Sequence, residues 1–157
     1  MDDTVGRQLE HDHHRIDDDF AQFAKSLSET SIDRDAFDAA ADALRHHIYV
    51  EETLHFPVLR AVGLLAPVLV MLREHGEIWD LLDEIGQSLT ADDTDEAQRL
   101  WPQLSSVLEQ HNAKEEQILY PAGDQKISAA DADLIITTLA TGETPAGWVC
   151  EMAGRTN

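Results

Sequence analysis

The chain has little cysteine, little lysine and no long apolar run. Cys150 is its one cysteine, which excludes an intramolecular disulfide and a thiolate metal cage. There are 31 acidic and 11 basic residues, and the formal net charge is −20. Because nucleic acids and anionic membranes are bound through Lys and Arg, we exclude both as partners. No segment approaches the roughly 18 apolar residues of a membrane span, and the N-terminus is too acidic for a signal peptide, so we expect a cytoplasmic protein.

A motif that combines histidine and glutamate occurs twice. HIYVEETLHFP begins at His47, and HNAKEEQILYP begins 64 positions later at His111. In each copy a glutamate, Glu51 or Glu115, follows the histidine by four residues, so both side chains lie on one face of a helix. Five positions of the two copies match, and we interpret them as an internal duplication.

A second repeat precedes each copy of the first. Asp12-His13 and Glu74-His75 are each followed by an isoleucine three residues after the histidine. An apolar stripe with steps of four and three residues surrounds both histidines, which is typical of a helix packed in a bundle. Each histidine takes a position where a hydrophobic residue is expected. The two stripes are Leu9, His13, Ile16, Phe20, Phe23, Leu27 and Met71, His75, Ile78, Leu82, Ile85, Leu89.

The periodicity predicts long helices over about residues 5–27, 33–57, 67–89 and 94–120. Asp33 and Asp93 have the spacing of capping residues, and the Phe56–Pro57 pair should kink or end the second helix. A short fifth helix follows Ser128. Short connectors between long helices favour an all-α, antiparallel up-down-up-down four-helix bundle built from a duplicated helix pair. We expect residues 1–125 to form this bundle and residues 126–157 to form a helical and irregular extension packed on it.

The four stripes of such a bundle face one interior channel. Two buried carboxylates without a counter-charge are costly there, and a pair of divalent cations removes the cost, since each glutamate can bridge the cations and each imidazole can donate one nitrogen. These donors favour iron, manganese, zinc or copper, and disfavour calcium and an iron–sulfur cluster. Open positions on the cations suit a small ligand such as dioxygen or nitric oxide. The predicted metal ligands are His13, His47, Glu51, His75, His111 and Glu115.

Other histidines leave alternatives open. His14 can take the place of His13 as a ligand, and His55 can support the site or add a ligand to it. We interpret His46 as a solvated histidine, because it points about 100° away from His47 on a helix. The glutamates that directly follow the two ligand glutamates are predicted to lie where two helices pack against each other, and they can support the ligands. They are Glu52 and Glu116.

These motifs resemble the hemerythrin-like, or HHE cation-binding, proteins. The likeness rests on DHHRI, HIYVEETLHFP, EHGEI and HNAKEEQILYP, and spans residues 12–121. It implies a four-helix bundle with a non-haem di-iron centre that is bridged by Glu51 and Glu115 and capped by four histidines. Oxygen-carrying members have a further histidine where this chain has Trp79, and a histidine–aspartate pair where the fourth helix here carries Glu115. The chain therefore resembles more closely the nitric-oxide response and iron-centre repair proteins of this family.

The predicted function follows from this site and this resemblance. We expect a metal-binding protein with two iron ions that binds or senses dioxygen or nitric oxide, or handles iron under oxidative or nitrosative stress. Zinc and manganese are alternative metals. The alternative functions are a di-iron enzyme that activates oxygen or removes peroxide, and a metal store or metal-sensing interaction module. Whether the protein is an enzyme is left open, as are its protein partners, and we expect a monomer or a homodimer.

Overall fold

Capping side chains begin several of the helices. The computed structural model describes residues 3–155, and Thr4, Asp33, Asp93 and Ser128 each accept a hydrogen bond from the backbone N–H three residues further on. Such bonds satisfy N–H groups that have no partner within the first turn of a helix. The predicted start at Asp33 and the capping spacing at Asp93 are confirmed.

Residues 3–155 are largely helical and contain no strand. A π-helical turn at Glu51–His55 joins α2 to α3, and another at Glu115–Leu119 joins α5 to α6. The helix that was predicted to kink or end at Phe56–Pro57 therefore continues through a π turn to residue 61. The α-helices are α1 (Val5–Ser26), α2 (Arg34–Val50), α3 (Phe56–Ala61), α4 (Leu65–Thr90), α5 (Thr94–Lys114), α6 (Tyr120–Asp124) and α7 (Ala129–Thr141).

The long helices pack along their apolar stripes. α1 contacts α2, α4 contacts α5, and α2 also contacts α4. Because His13 and His75 lie within the buried stripes of α1 and α4, their rings point into the protein interior. No helix within residues 3–155 is both long and apolar enough to cross a bilayer. The buried apolar stripe residues include Leu9, Ile16, Phe20, Phe23, Met71, Ile78, Leu82 and Ile85.

The chain after residue 125 covers one side of these helices. α7 contacts α1 and α2 and buries Ile135. Residues 142–155 follow as an irregular tail, in which the ring of Trp148 lies 5.1 Å from that of Tyr49 and 5.5 Å from that of Trp79. The predicted boundary at residue 125 stays a prediction, and residues 1–2 and 156–157 lie outside the described residues.

The tail lies directly against α4 at Gly76. A Cβ atom at this position would be 2.6 Å from the carbonyl oxygen of Met152, so the approach requires glycine. Beside it, the Glu151 N–H donates a hydrogen bond to Oε1 of Glu52 (3.0 Å), and the Cys150 thiol lies 3.7 Å from the carbonyl oxygen of His75. The tail therefore packs against the part of α4 that carries His75, one of the predicted metal ligands.

Candidate metal centre

A π turn begins at each of the two predicted bridging glutamates. The N–H of Phe56 donates to the carbonyl oxygen of Glu51, and that of Tyr120 donates to the carbonyl oxygen of Glu115, five residues back in each case. Proline directly follows both donors. An α-helix loses a hydrogen bond at proline, and the ring collides with the carbonyl group four residues earlier, so a local change to π geometry accommodates it. π turns of this kind are frequent at functional sites.

The structure brings the six predicted metal ligands together. Their donor atoms form two groups, and within each group all atoms lie within 4.8 Å of one another. All six side chains are at most 3% exposed. Glu115 belongs to both groups, which is the arrangement expected of a carboxylate between two cations. The first group is Glu51, His75, His111 and Glu115, and the second is His13, His47 and Glu115.

Each of the four histidines directs its Nε2 atom at a central glutamate. Each glutamate faces one histidine from its own helix, four residues earlier, and one from the other half of the chain. The sequence predicted only the histidine–glutamate pairs within one helix. The pairs between the two halves of the chain arise from the packing of the helices. The contacts are His47 Nε2–Glu51 Oε1 (3.4 Å), His75 Nε2–Glu51 Oε1 (3.2 Å), His111 Nε2–Glu115 Oε1 (3.1 Å) and His13 Nε2–Glu115 Oε1 (3.3 Å).

In each of these four histidines the other ring nitrogen, Nδ1, donates a hydrogen bond to a carboxylate. Such a bond fixes the tautomer, leaves the Nε2 lone pair free for a metal and makes that nitrogen a stronger donor. The acceptors are Glu52 and Glu116, which were predicted to lie between packed helices, and the acids that directly precede His13 and His75. The bonds are His13 Nδ1–Glu116 Oε2 (2.8 Å), His47 Nδ1–Asp12 Oδ2 (2.9 Å), His75 Nδ1–Glu52 Oε2 (2.7 Å) and His111 Nδ1–Glu74 Oε1 (3.0 Å).

Basic side chains hold two of these outer carboxylates in place. The guanidinium group of Arg15 donates to Asp12 (2.5 Å), and the ammonium group of Lys114 donates to Glu74. Both acids have a lowered pKa: burial acts to raise it, but the bonds to His47 and Arg15, or to His111 and Lys114, outweigh burial. Asp12 and Glu74 are therefore charged at neutral pH and suited to accept the Nδ1 protons.

Three atoms at the centre that could bind a metal make no hydrogen bond of good geometry. They are Oε1 of Glu51, Oε2 of Glu115 and Nε2 of His75, all buried. Burying such atoms without a partner costs free energy, and a divalent cation among them removes the cost. Nitrogen and oxygen donors of this kind suit transition metals. The side chains present therefore fit a metal centre.

Three of the four histidines have a raised pKa, which shows that the metal-free site favours positive charge. Burial acts to lower the pKa of His13, but hydrogen bonds to Glu115 and Glu116 outweigh it and raise the pKa to about 9. Burial is likewise outweighed by neighbouring carboxylates at His75, whose pKa is about 10, and at His111, whose pKa is about 9. Protons thus take the place of cations in the metal-free site, because both compete for the same lone pairs.

The two central glutamates differ in their electrostatic environment. Burial, followed by the negative charge of Glu115, raises the pKa of Glu51. Burial also acts to raise the pKa of Glu115, but the neighbouring His111 outweighs it and holds the pKa well below its usual value. Glu115, which both donor groups share, is therefore the more negatively charged of the two glutamates.

Tyr120 joins the site although the sequence analysis did not select it. Its hydroxyl group donates to Oε2 of Glu51 (2.8 Å) and lies 3.1 Å from Oε1 of Glu115. Burial, followed by these two carboxylates, raises the pKa of the Tyr120 hydroxyl well above its usual value. At 100° per residue of an α-helix, Tyr120 would lie about 140° around the helix from Glu115. The π turn instead places the two residues one turn apart, and the signal for it was the proline that follows.

Two further histidines lie outside both buried donor groups. His14 is exposed and is grouped only with Glu10 and Glu116 near the surface, which agrees with the choice of His13 for the interior. His55 is fully buried, yet neither of its ring nitrogens has a hydrogen-bond partner. Burial lowers the pKa of His55 to about 4, so the ring is neutral.

His46 is not the solvated histidine that was predicted. Its Nε2–H donates to the carbonyl oxygen of Thr138 (3.0 Å), and its Nδ1 accepts from the hydroxyl group of Thr144 (3.0 Å). The side chain is half-buried between α2, α7 and the tail. A histidine that points away from the centre is therefore used to attach the C-terminal segment, whose position the sequence did not reveal.

Comparison with protein families supports the same region of the chain. The sequence model described as the hemerythrin HHE cation binding domain matches residues 4–123. This span includes both π turns and every donor of the two buried groups. Comparisons with curated proteins and with solved structures gave no match. Because the match covers most of the chain and ends before α7, the chain belongs to the hemerythrin HHE cation-binding domain family through residues 4–123.

Proposed function

We propose that the protein binds two iron ions between its long helices and that this centre binds or senses a diatomic gas, dioxygen or nitric oxide. The four long helices form an antiparallel up-down-up-down bundle around the centre. The iron ligands are His13, His47, Glu51, His75, His111 and Glu115, with the two glutamates between the ions. Metal binding itself is the general property of the family to which the chain belongs.

The observation that carries this proposal is the sharing of Glu115 by two donor groups. One group offers four donors and the other three, and all are nitrogen or oxygen atoms within 4.8 Å of each other in each group. Donor sets of two histidines with carboxylate leave open positions on a non-haem iron, where a small molecule can bind. Iron bound there would supply reversible binding of a gas and a change of oxidation state.

Burial supports a diatomic ligand over a larger organic one. Every proposed ligand is at most 3% exposed, so a bulky substrate would have to displace packed helices to reach the centre. The residues of the chain contribute orientation: the outer carboxylates hold each Nδ1–H, and the Nε2 lone pairs stay directed inward. The closed interior also limits the access of water to the ions.

The ligand set also supports the nitric-oxide response and iron-centre repair branch. Trp79 is 5% exposed and packs against Trp148 at 5.5 Å, so it occupies the place of the additional histidine of oxygen carriers with an indole that cannot bind iron. Four histidines and two glutamates remain. On this basis sensing or handling of iron under nitrosative stress is favoured over bulk oxygen transport.

Metal content is the first test of this proposal. Protein purified without added metal should contain about two irons per folded chain, and a double variant with Glu51→Gln and Glu115→Gln should lose them, because neutral amides are poor bridges between cations. His14→Gln is a matched control, since it changes an exposed histidine next to His13 and should retain both irons. Wild-type protein without metal, or with one zinc that survives the double change, would contradict the proposal.

Gas binding is tested next by visible absorption. The reduced protein should change its spectrum when nitric oxide is added under anaerobic conditions, or when dioxygen is added. The change should reverse when the gas is removed. Continuous consumption of oxygen or peroxide in the presence of a reductant would identify the alternative, a di-iron enzyme. No spectral change with either gas, in protein that holds two irons, would leave a metal store or a metal-sensing module as the function.

A further inference from the structure

Tyr120 is the one aromatic hydroxyl at the centre of the described chain, and four polar atoms converge on it. Its oxygen lies 2.8 Å from Oε2 of Glu51 and 3.1 Å from Oε1 of Glu115. It also lies 3.3 Å from Nε2 of His13 and 3.3 Å from Nε2 of His47. Tyr120 is 2% exposed. Its oxygen thus contacts every member of the second donor group, which without it has only three donors.

Four atoms that can bind a cation surround the Tyr120 hydroxyl group. Nδ1 of His13 and Nδ1 of His47 each donate to a carboxylate, so the Nε2 atoms of both rings are the nitrogens available to a metal at this point. One oxygen of Glu51 and one of Glu115 are the other two. A cation at this position satisfies all of them, and the tyrosine oxygen is then a fifth lone-pair donor.

We infer that Tyr120 is a metal ligand, bound through its phenolate oxygen to the ion that His13, His47 and Glu115 hold. The inference rests on the proposed metal centre and deepens it. When the ion binds, the O–H bond of Tyr120 breaks, the oxygen keeps the electron pair and donates it to the ion, and the proton passes to solvent. With both glutamates between the ions, as proposed, this ion has five donors from the chain, and the other ion has two histidines and two glutamates.

The first half of the chain has no counterpart to Tyr120. Phe56 holds the position that matches Tyr120, and its ring stacks on that of His75 at 5.4 Å with an interplanar angle of 16°. A phenyl ring has no atom that can bind a cation as a ligand. The two ions are therefore chemically different: one has an oxygen donor that releases charge to it, and the other has an apolar wall beside it.

The backbone around Tyr120 is shaped to admit its ring. The π turn directs Tyr120 to the same side as Glu115, and α1 passes close to it at Gly6. A Cβ at position 6 would lie 2.8 Å from Cβ of Tyr120, so a larger residue would push α1 away from this ring. The Gly6 N–H also donates to Oδ1 of Asp124 (3.0 Å), one turn after Tyr120.

Visible absorption and resonance Raman spectra of the ferric protein test the inference. A phenolate bound to ferric iron gives a charge-transfer band in the visible, and excitation in this band enhances the vibrations of the tyrosine ring. The chain has two tyrosines, Tyr49 and Tyr120. We expect wild-type protein and the matched control Tyr49→Phe to show the band, and Tyr120→Phe to lose it while its helix content by circular dichroism is unchanged.

The outcomes separate this inference from the proposed function. Two irons per chain without a phenolate band in the wild type, or a band that survives Tyr120→Phe, would overturn the inference and leave the metal centre intact. Absence of iron from the wild type would overturn both. If Tyr120→Phe does not fold, the Raman spectrum of wild-type protein labelled with ring-deuterated tyrosine still decides, because the enhanced ring vibrations shift in frequency only when tyrosine binds the iron.

Discussion

The two halves of the chain share their ligands but differ one turn beyond them. Each half contributes a histidine from its first helix and a histidine–glutamate pair from its second. After the glutamate, the first half carries His55 and Phe56, whereas the second carries Leu119 and Tyr120. His55 lies beside Tyr120 with ring centres 5.7 Å apart, while Phe56 and Leu119 belong to one apolar cluster.

The comparison separates the proposed ligands, which the two halves share, from their surroundings, in which the halves differ. Residues that direct lone pairs inward match in both halves, as the proposed pair of cations requires. The positions at the ends of the π turns differ: Tyr120 contacts every member of the second donor group, whereas Phe56 stacks on His75 of the first. The result is a centre with one polar end, at Tyr120, and one apolar end, at Phe56.

A second difference concerns the outer carboxylates. The side chain of Glu52, which binds His75, is 5% exposed and lies under the tail, whereas that of Glu116, which binds His13, is 21% exposed. Position 76 is glycine where the first half has His14, and it is at Gly76 that the tail lies on α4. The C-terminal segment therefore covers Glu52 and leaves Glu116 partly exposed to solvent.

The largest expected effect distinguishes the two central glutamates. Since Glu115 belongs to both donor groups and Glu51 to one, Glu115→Gln should lower bound iron to below about one per chain, whereas Glu51→Gln should leave about one. Elemental analysis of the folded variants measures this. Equal losses in the two variants would contradict this difference between the two glutamates.

The pH dependence of the metal-free protein should be common to both halves. The pKa values of His13, His75 and His111 are raised above 6.5, to about 9, about 10 and about 9. Protonation of these rings therefore stabilises the fold fully below pH 6.5, and this contribution is lost as the pH rises through 9 to 10. Urea unfolding of metal-free protein should show a lower free energy of unfolding at the higher pH.

Iron-loaded protein is the control for this pH dependence. Cations replace the protons on the rings, so the loss of stability between pH 6.5 and about 10 should be absent or much smaller. Metal-free protein whose stability stays constant or increases across this range would show that the histidines are not held in a protonated state by the carboxylates.

Gly76→Ala tests the contact between the tail and α4. Alanine inside a helix normally stabilises by about 0.5–1 kcal/mol relative to glycine, but here its Cβ would meet the carbonyl oxygen of Met152 at 2.6 Å. We expect a net destabilisation of about 1–2 kcal/mol, as for other overpacked positions, together with faster hydrogen exchange at the Glu151 amide. The matched change in the first half, His14→Ala, should do neither, and a more stable Gly76→Ala protein would contradict this account of the tail.

The smallest effect is expected when His55 is changed to the leucine of the second half. His55 is buried with both ring nitrogens unpaired, a condition that costs about 1–3 kcal/mol for a polar group. His55→Leu should therefore raise the free energy of unfolding by about 1 kcal/mol and leave the iron content unchanged. Thermal unfolding and elemental analysis measure both quantities, and a loss of iron would instead show that His55 is a ligand.

The sequence led to the proposed metal ligands because the motif that carries them occurs twice, and the structure brings these side chains together. An acid adjoins each predicted ligand pair in both copies, at Glu52 and Glu116, and its recurrence was the available signal for the hydrogen bonds to Nδ1. Tyr120 was not predicted because α-helical geometry places it away from Glu115, and only the π turn brings the two together. The contact of the tail at Gly76 was also hidden, since it joins residues that no local pattern connects.

The measurement that tests the central claim most directly is anomalous diffraction at the iron edge from crystals of the iron-loaded protein. We predict two peaks between the long helices, one beside His75 and His111 and one beside His13, His47 and the oxygen of Tyr120. A single peak, or peaks on the exposed surface away from these histidines, would contradict a dinuclear centre built by the two halves of the chain.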